Sequence, residues 1–162
     1  LAKAYADAGQ KTEAIQAAQQ ALHRSSGVLP LDEQAQLHHL LGRLLRDTGQ
    51  LDQSIHQLSE AIRIAPQSLN SYLELGLTQE ERRQFAPALD TYKKAISIYP
   101  TDARPYHQAG LLLKSSRDYP AAESMLRKAA ERDPDNVDIH RQLAALVALN
   151  LVHSRQPVST EI

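Results

Sequence analysis

The chain has 162 residues, a formal net charge of −1 and 42% hydrophobic content. Nucleic-acid binding normally needs a net basic face, so near neutrality argues against it. Cysteine is absent, which excludes a disulfide framework or a cysteine zinc site and leaves the redox compartment unread. No apolar run reaches the ~18 residues of a membrane span; the longest stretch, Leu143–Val152, is short and holds Asn150. The chain opens LAKAYADAG, without an initiator Met or a leader pattern, as a fragment of a longer protein would. Its compartment is therefore left open, with the cytoplasm as the default.

Taken in order, Leu1–Ala8 reads as the end of a helix stopped by Gly9. Thr12–Arg24 follows as a second helix, with Thr12 as its N-cap and Ala14, Ile15, Ala18, Ala21 and Leu22 on one apolar stripe. Ser25–Pro30 is a connection, and the next helix starts at Pro30 or Asp32. Helices are then predicted at Leu31–Asp47, Leu69–Glu81 and Ala103–Ser116, each followed by a partner at Asp52–Ile64, Ala86–Ile98 and Tyr119–Arg132. Pro66, Pro100 and Pro134 stop the second helix of each pair. Val137–Val152 reads as one more first helix, and His153–Ile162 as a flexible tail.

A spacing of 34 residues runs through this order. Gly42, Gly76 and Gly110 align, as do Ala61, Ala95 and Ala129, and the prolines Pro66, Pro100 and Pro134. A repeat of this period implies a solenoid, in which no unit buries its apolar face alone. Residues 1–28 form a partial first repeat and 29–34 an extended linker and helix start. Three repeats follow at 35–68, 69–102 and 103–136, then a terminal helix at 137–152 and the tail at 153–162. The spacing from Gly9 to Gly49 is 40, so the first linker is lengthened. A glycine inside a helix costs ~1 kcal/mol relative to alanine. Gly42, Gly76 and Gly110 are therefore expected at close helix crossings, facing Ala61, Ala95 and Ala129. Tyr72, Tyr106, Phe85, Tyr119, Tyr92, Leu58 and Leu126 are expected to fill the remaining gaps.

The set Tyr72, Leu75, Gly76, Phe85, Ala88, Tyr92, Ala95 and Pro100 resembles the tetratricopeptide repeat (TPR) signature. Leu41, Gly42, Gly49, Leu58, Ala61 and Pro66 repeat it, as do Tyr106, Gly110, Tyr119, Ala122, Leu126, Ala129 and Pro134. Departures are His38 for the usual aromatic and Ser54 for the usual alanine. The resemblance implies an all-α, right-handed superhelical solenoid of antiparallel helix pairs. It also implies a non-enzymatic scaffold without cofactor or metal, whose first helices line a concave groove for a peptide or partner helix.

Nothing in the residues contradicts a non-enzymatic reading. The glycines are isolated, so no phosphate-cradling loop exists, and the seven histidines show no metal-ligand spacing. His38 and His39 diverge by ~100° on a helix. By resemblance, the groove residues of the second unit include His39, Arg43 and Arg46; those of the third include Asn70, Leu73, Glu74, Leu77, Glu80 and Glu81. The fourth supplies Arg104, His107, Gln108, Leu111 and Lys114, and the last helix Arg141. Leu73, Leu77 and Leu111 read as an apolar floor between bands of charge, which suits a partner of mixed charge with aliphatic anchors. The carboxylate clamp of chaperone-binding members is not reproduced. Its positions read His39, Arg43, Glu74, Arg104 and Gln108, of which only Arg104 fits. Tyr99 lies outside the pattern and is expected to pack over the following helix. Two rival readings are self-association into a homodimer through the terminal helices, and RNA binding by a similar helical repeat. The second needs a basic groove, which this chain lacks.

Overall fold

The computed structural model describes residues 10–24 and 29–154, and among them all regular structure is helical. The helices are α1 (Lys11–Arg24), α2 (Leu31–Asp47), α3 (Leu51–Ile64), α4 (Leu69–Glu81), α5 (Phe85–Ile98), α6 (Ala103–Ser115), α7 (Tyr119–Arg132) and α8 (Val137–Ser154). The expected helix at Leu1–Ala8, its Gly9 stop and most of the Ser25–Pro30 connection lie outside the described residues, as does 155–162. The chain divides into two units, the first ending at Ile98 and the second beginning at Tyr99.

In the first unit, α2 pairs with α3 and α4 with α5, while α1 packs on α2 and α3 on α4. The stripe read from the sequence of α1 is the one that is buried: Ala14, Ile15 and Ala18 join Leu41, Leu44 and Leu45 of α2 in one apolar cluster. In the second unit, α6 pairs with α7, and α8 lies on α7 through Ile139 and Leu146. Three local expectations are corrected. Thr12 does not cap α1, because the helix already begins at Lys11 and Thr12 is exposed in its first turn. Phe85 opens α5 at 45% exposure rather than filling a core gap. The last helix runs past Val152 to Ser154, which takes the start of the expected tail into regular structure.

The glycines sit at close crossings, but against other neighbours than expected. A Cβ at Gly42 would lie 2.6 Å from Leu58 Cγ, one at Gly76 2.5 Å from Tyr92 Cζ, and one at Gly110 2.8 Å from Leu126 Cγ. The small residue on each first helix thus receives a large one from its partner, and Ala61, Ala95 and Ala129 are buried elsewhere on the second helices. Interlocking pairs large with small across the interface, which is why glycine does not face alanine. Ser54, the departure from alanine, is fully buried and donates to Gly42 O at 2.7 Å; its Oγ also lies 3.3 Å from Thr78 Oγ1. The hydroxyl ties α3 to both first helices of the unit without leaving an orphaned polar atom.

The first helices α2, α4 and α6 close with the same turn. Gly49, Arg83 and Arg117 have φ of 77°, 62° and 63°. The following N–H groups donate back to Leu45, Gln79 and Leu113 carbonyls at 2.8, 2.7 and 3.0 Å. This is the Schellman closure, whose left-handed residue is usually glycine. Only the first of the three turns uses one.

Candidate interaction surface

In the first unit, the first-helix residues named from the sequence come from α2 and α4. His39 is half-buried on α2, with Nδ1 3.1 Å from Ser71 Oγ, which lies 2.8 Å from Ser68 Oγ. Burial pulls the His39 ring below the ordinary histidine range, and the neighbouring Arg43 adds to that effect. The imidazole is therefore neutral at physiological pH. Arg43 is exposed and makes no ion pair among the described residues.

Arg46 behaves differently. Its side chain is only 17% exposed and its Nη1 lies 2.8 Å from Glu74 Oε2, with Glu81 at 3.7 Å. The contact with Glu74 is an ion pair, without the alignment of a hydrogen bond. Asp47 lies 3.7 Å from Arg46 and is shared with Lys11 at 3.3 Å. Arg46 of α2 is thus neutralised by Glu74 and Glu81 of α4 within the protein, whereas Arg43 takes no part in that pairing. Glu80 accepts from Tyr92 OH at 2.5 Å. Burial pushes the Glu80 carboxyl above the usual carboxylate range, against the opposing pull of that hydrogen bond, and raises Tyr92 further still. Leu73 and Leu77 are half-buried.

An open cleft of about 940 Å³ lies beside α2 in this unit. Its walls include Ala17 and Ala21 from α1, Leu37 and Leu40 from α2, and the turn from Ala65 to Asn70 that leads into α4. His39 and Arg43 line it, as do Asp32 and Glu33 at the start of α2. The two alanines on α1 leave the width that larger side chains would fill.

In the second unit, the named residues come from α6 and α8. Arg104 turns back on the N-cap, pairing with Asp102 at 2.8 Å while Asp102 accepts its backbone N–H. Lys114 donates to Gln142 Oε1 at 2.9 Å, and Arg141 pairs with Asp138. His107 is 16% exposed, with Nε2 3.6 Å from Asp138 Oδ2 and without a hydrogen bond. Burial lowers its affinity for a proton and Asp138 partly restores it. Gln108 and Leu111 are half-buried. Tyr106 donates to Pro100 O at 3.1 Å, while Arg132 stacks 4.1 Å above its ring and donates to the same carbonyl at 2.6 Å. Tyr99 is half-buried.

Among the described residues, no cluster of three or more His, Asp or Glu side chains is placed to hold a metal, and no helix is long and apolar enough to cross a membrane. Solved structures of similar shape exist. The crystal structure of MamA superposes with a TM-score of 0.80 at 18% identity, covering 93% of this chain and 84% of that one. A tetratricopeptide repeat protein from Parabacteroides merdae gives 0.80 at 21% identity, covering 90% and 56%. The first TPR of Spaghetti (RPAP3), bound to the HSP90 peptide SRMEEVD, gives 0.68 at 14% identity, covering 74% and 95%. At these identities the likeness shows the all-α TPR fold alone. A comparison with curated protein sequences finds no match. Two family models described as tetratricopeptide repeat match residues 33–101 and 103–136. With the helix pairs and their glycine interlocks, these matches make the chain a member of the tetratricopeptide repeat family, an interaction-scaffold fold that is typically non-enzymatic.

Proposed function

We propose that the chain holds a segment of a partner protein on the first-helix face of a unit, α2 and α4 in the first or α6 and α8 in the second. The observation that carries this reading is the cleft beside α2, where apolar walls meet Arg43, a cation that no carboxylate among the described residues neutralises. Ligand sites commonly combine an apolar lining with a few polar groups that fix orientation. Half-buried Leu73 and Leu77 supply further apolar area on α4, and Leu111 does so separately on α6 of the second unit. The test is selection of peptides from a random display library, followed by amide chemical-shift mapping on the isotope-labelled protein. Shifts on α2 and α4, or on α6 and α8, are expected. Shifts confined to α3, α5 and α7 overturn the reading, as does a failure to select any binder.

Self-association is a second reading, favoured by α8. That helix exposes Val137 at 79% and Val152 at 60%, with Ala144 and Ala148 exposed between them. A second copy seated there would cover an apolar stripe. Sedimentation should then give twice the chain mass for the natural sequence and the single mass for Ala148→Glu. One chain mass at high protein concentration rejects it.

A further inference from the structure

We infer that the cleft beside α2 selects a dipolar segment: a basic side chain at one end, aliphatic side chains in the middle and an acidic group at the other end. The inference rests on the proposed groove function and adds the chemistry of what the groove takes. Asp32 and Glu33 stand at the first turn of α2, and Arg43 stands near its other end. At 100° per residue, Asp32 and Arg43 differ by about 20° around the helix, so they share one line of its surface. At 1.5 Å per residue they are ~16 Å apart along that line. All three line the same cleft and are exposed, and none forms an ion pair among the described residues. Their neighbour Arg46, one turn from Arg43, is neutralised by Glu74 and adds nothing. His39 is neutral and leaves Arg43 as the cation of its end. At the other end, two carboxylates exceed the roughly half-unit positive charge of a helix N-terminus. Between the ends lie Ala21, Leu37 and Leu40.

The separation decides the consequence. At physiological salt the screening length is ~8 Å, so the two ends act on a ligand independently. A segment with one sign of charge gains at one end and is repelled at the other. An extended chain advances ~3.3 Å per residue, which puts the matching charges about five residues apart.

Three labelled synthetic peptides test this, each with the same Leu-Ala-Ala-Leu centre and with flanking ends Lys/Glu, Lys/Lys or Glu/Glu five residues apart. Fluorescence anisotropy with the natural sequence should show the Lys/Glu peptide binding about tenfold tighter than either of the others. Arg43→Glu should shift the preference to Lys/Lys, and Asp32→Lys with Glu33→Lys should shift it to Glu/Glu. All three positions are exposed, and circular dichroism checks that each variant keeps its helices. Equal binding of the three peptides, an unchanged order in the variants, or no binding by any of them overturns the inference. If library-selected peptides still shift α2 and α4 amides in those cases, the groove function stands without it. If they do not, both fall.

Discussion

Replacing Gly76 with alanine sets two opposed effects against each other at one atom. The helix gains: alanine is ~1 kcal/mol better than glycine in a helix interior. The interface loses, because the new methyl would sit 2.5 Å from Tyr92 Cζ and 2.9 Å from Cδ1, about an ångström inside van der Waals contact. A leucine in that place has a branched end that turns aside. The tyrosine ring is rigid, fully buried, and pinned at its far end by the 2.5 Å hydrogen bond to Glu80. Overpacking of a well-filled core costs typically 1–3 kcal/mol, and here the upper part of that range applies. Net destabilisation of the first unit by about 1–2 kcal/mol is expected, read from the urea midpoint. Gly42→Ala, which meets a leucine, should cost less. Shortening the obstacle in a Gly76→Ala, Tyr92→Leu double variant should recover part of the alanine's helix gain, so the two substitutions should be less damaging together than their sum. A Gly76→Ala protein more stable than the natural one, by the ~1 kcal/mol of helix propensity, would refute the interlock.

The other expectations concern charge and backbone. Arg83→Gly relieves a left-handed residue at φ 62° and should raise stability by about 0.5–1 kcal/mol; a lower urea midpoint contradicts it. Arg46→Ala leaves Glu74, 21% exposed, without its cation and should cost about 1–2 kcal/mol, between the values for surface and buried pairs. Arg43→Ala should cost almost nothing, and equal losses from the two would show that Arg46 is not the structural one. Glu80 binds its proton more tightly in the folded than in the unfolded chain, so its contribution to stability falls as pH rises through the carboxylate range and is regained on acidification. Glu80→Gln keeps an acceptor for Tyr92. It should stabilise at neutral pH by an amount that shrinks towards pH 4; a pH-independent difference would assign the effect to something other than titration.

Periodicity carried the architecture well because glycine, alanine and proline at fixed intervals report constraints that hardly depend on neighbours. Pro66 and Pro134 end helices whatever lies across from them, and α4 and α7 start and stop at the residues expected. Which residue faces which glycine is a different matter. The 34-residue register aligns Ala61 with Ala95 but does not give the rotation of one helix against the next, and that rotation sets Tyr92 rather than Ala95 over Gly76. The turn closures were half legible: Gly49 announces a left-handed residue, whereas Arg83 and Arg117 adopt the same conformation with side chains that disguise it. On the candidate surface, charge alone made Arg43 and Arg46 look alike. Only the packing of α2 on α4 separates them, since Arg46 reaches Glu74 and Arg43 reaches no carboxylate among the described residues.

The carbonyl of Pro100 accepts from both Tyr106 and Arg132, and this clasp bears on how the second unit comes apart. It joins the residues just before α6 to the last turn of α7, so the helix pair is a closed loop held shut at its mouth. The start of α8 repeats only half of it, with His140 Nε2 2.8 Å from Pro134 O, and the helix otherwise attaches through Ile139, Leu146 and the bonds of Gln142 and Asn150 to Lys114 and Glu123. Detachment of α8 therefore leaves the clasp in place, and parting the start of α6 from the end of α7 requires both of its hydrogen bonds to break. A protease that frees α8 from the native protein still has a latch between α6 and α7 ahead of it.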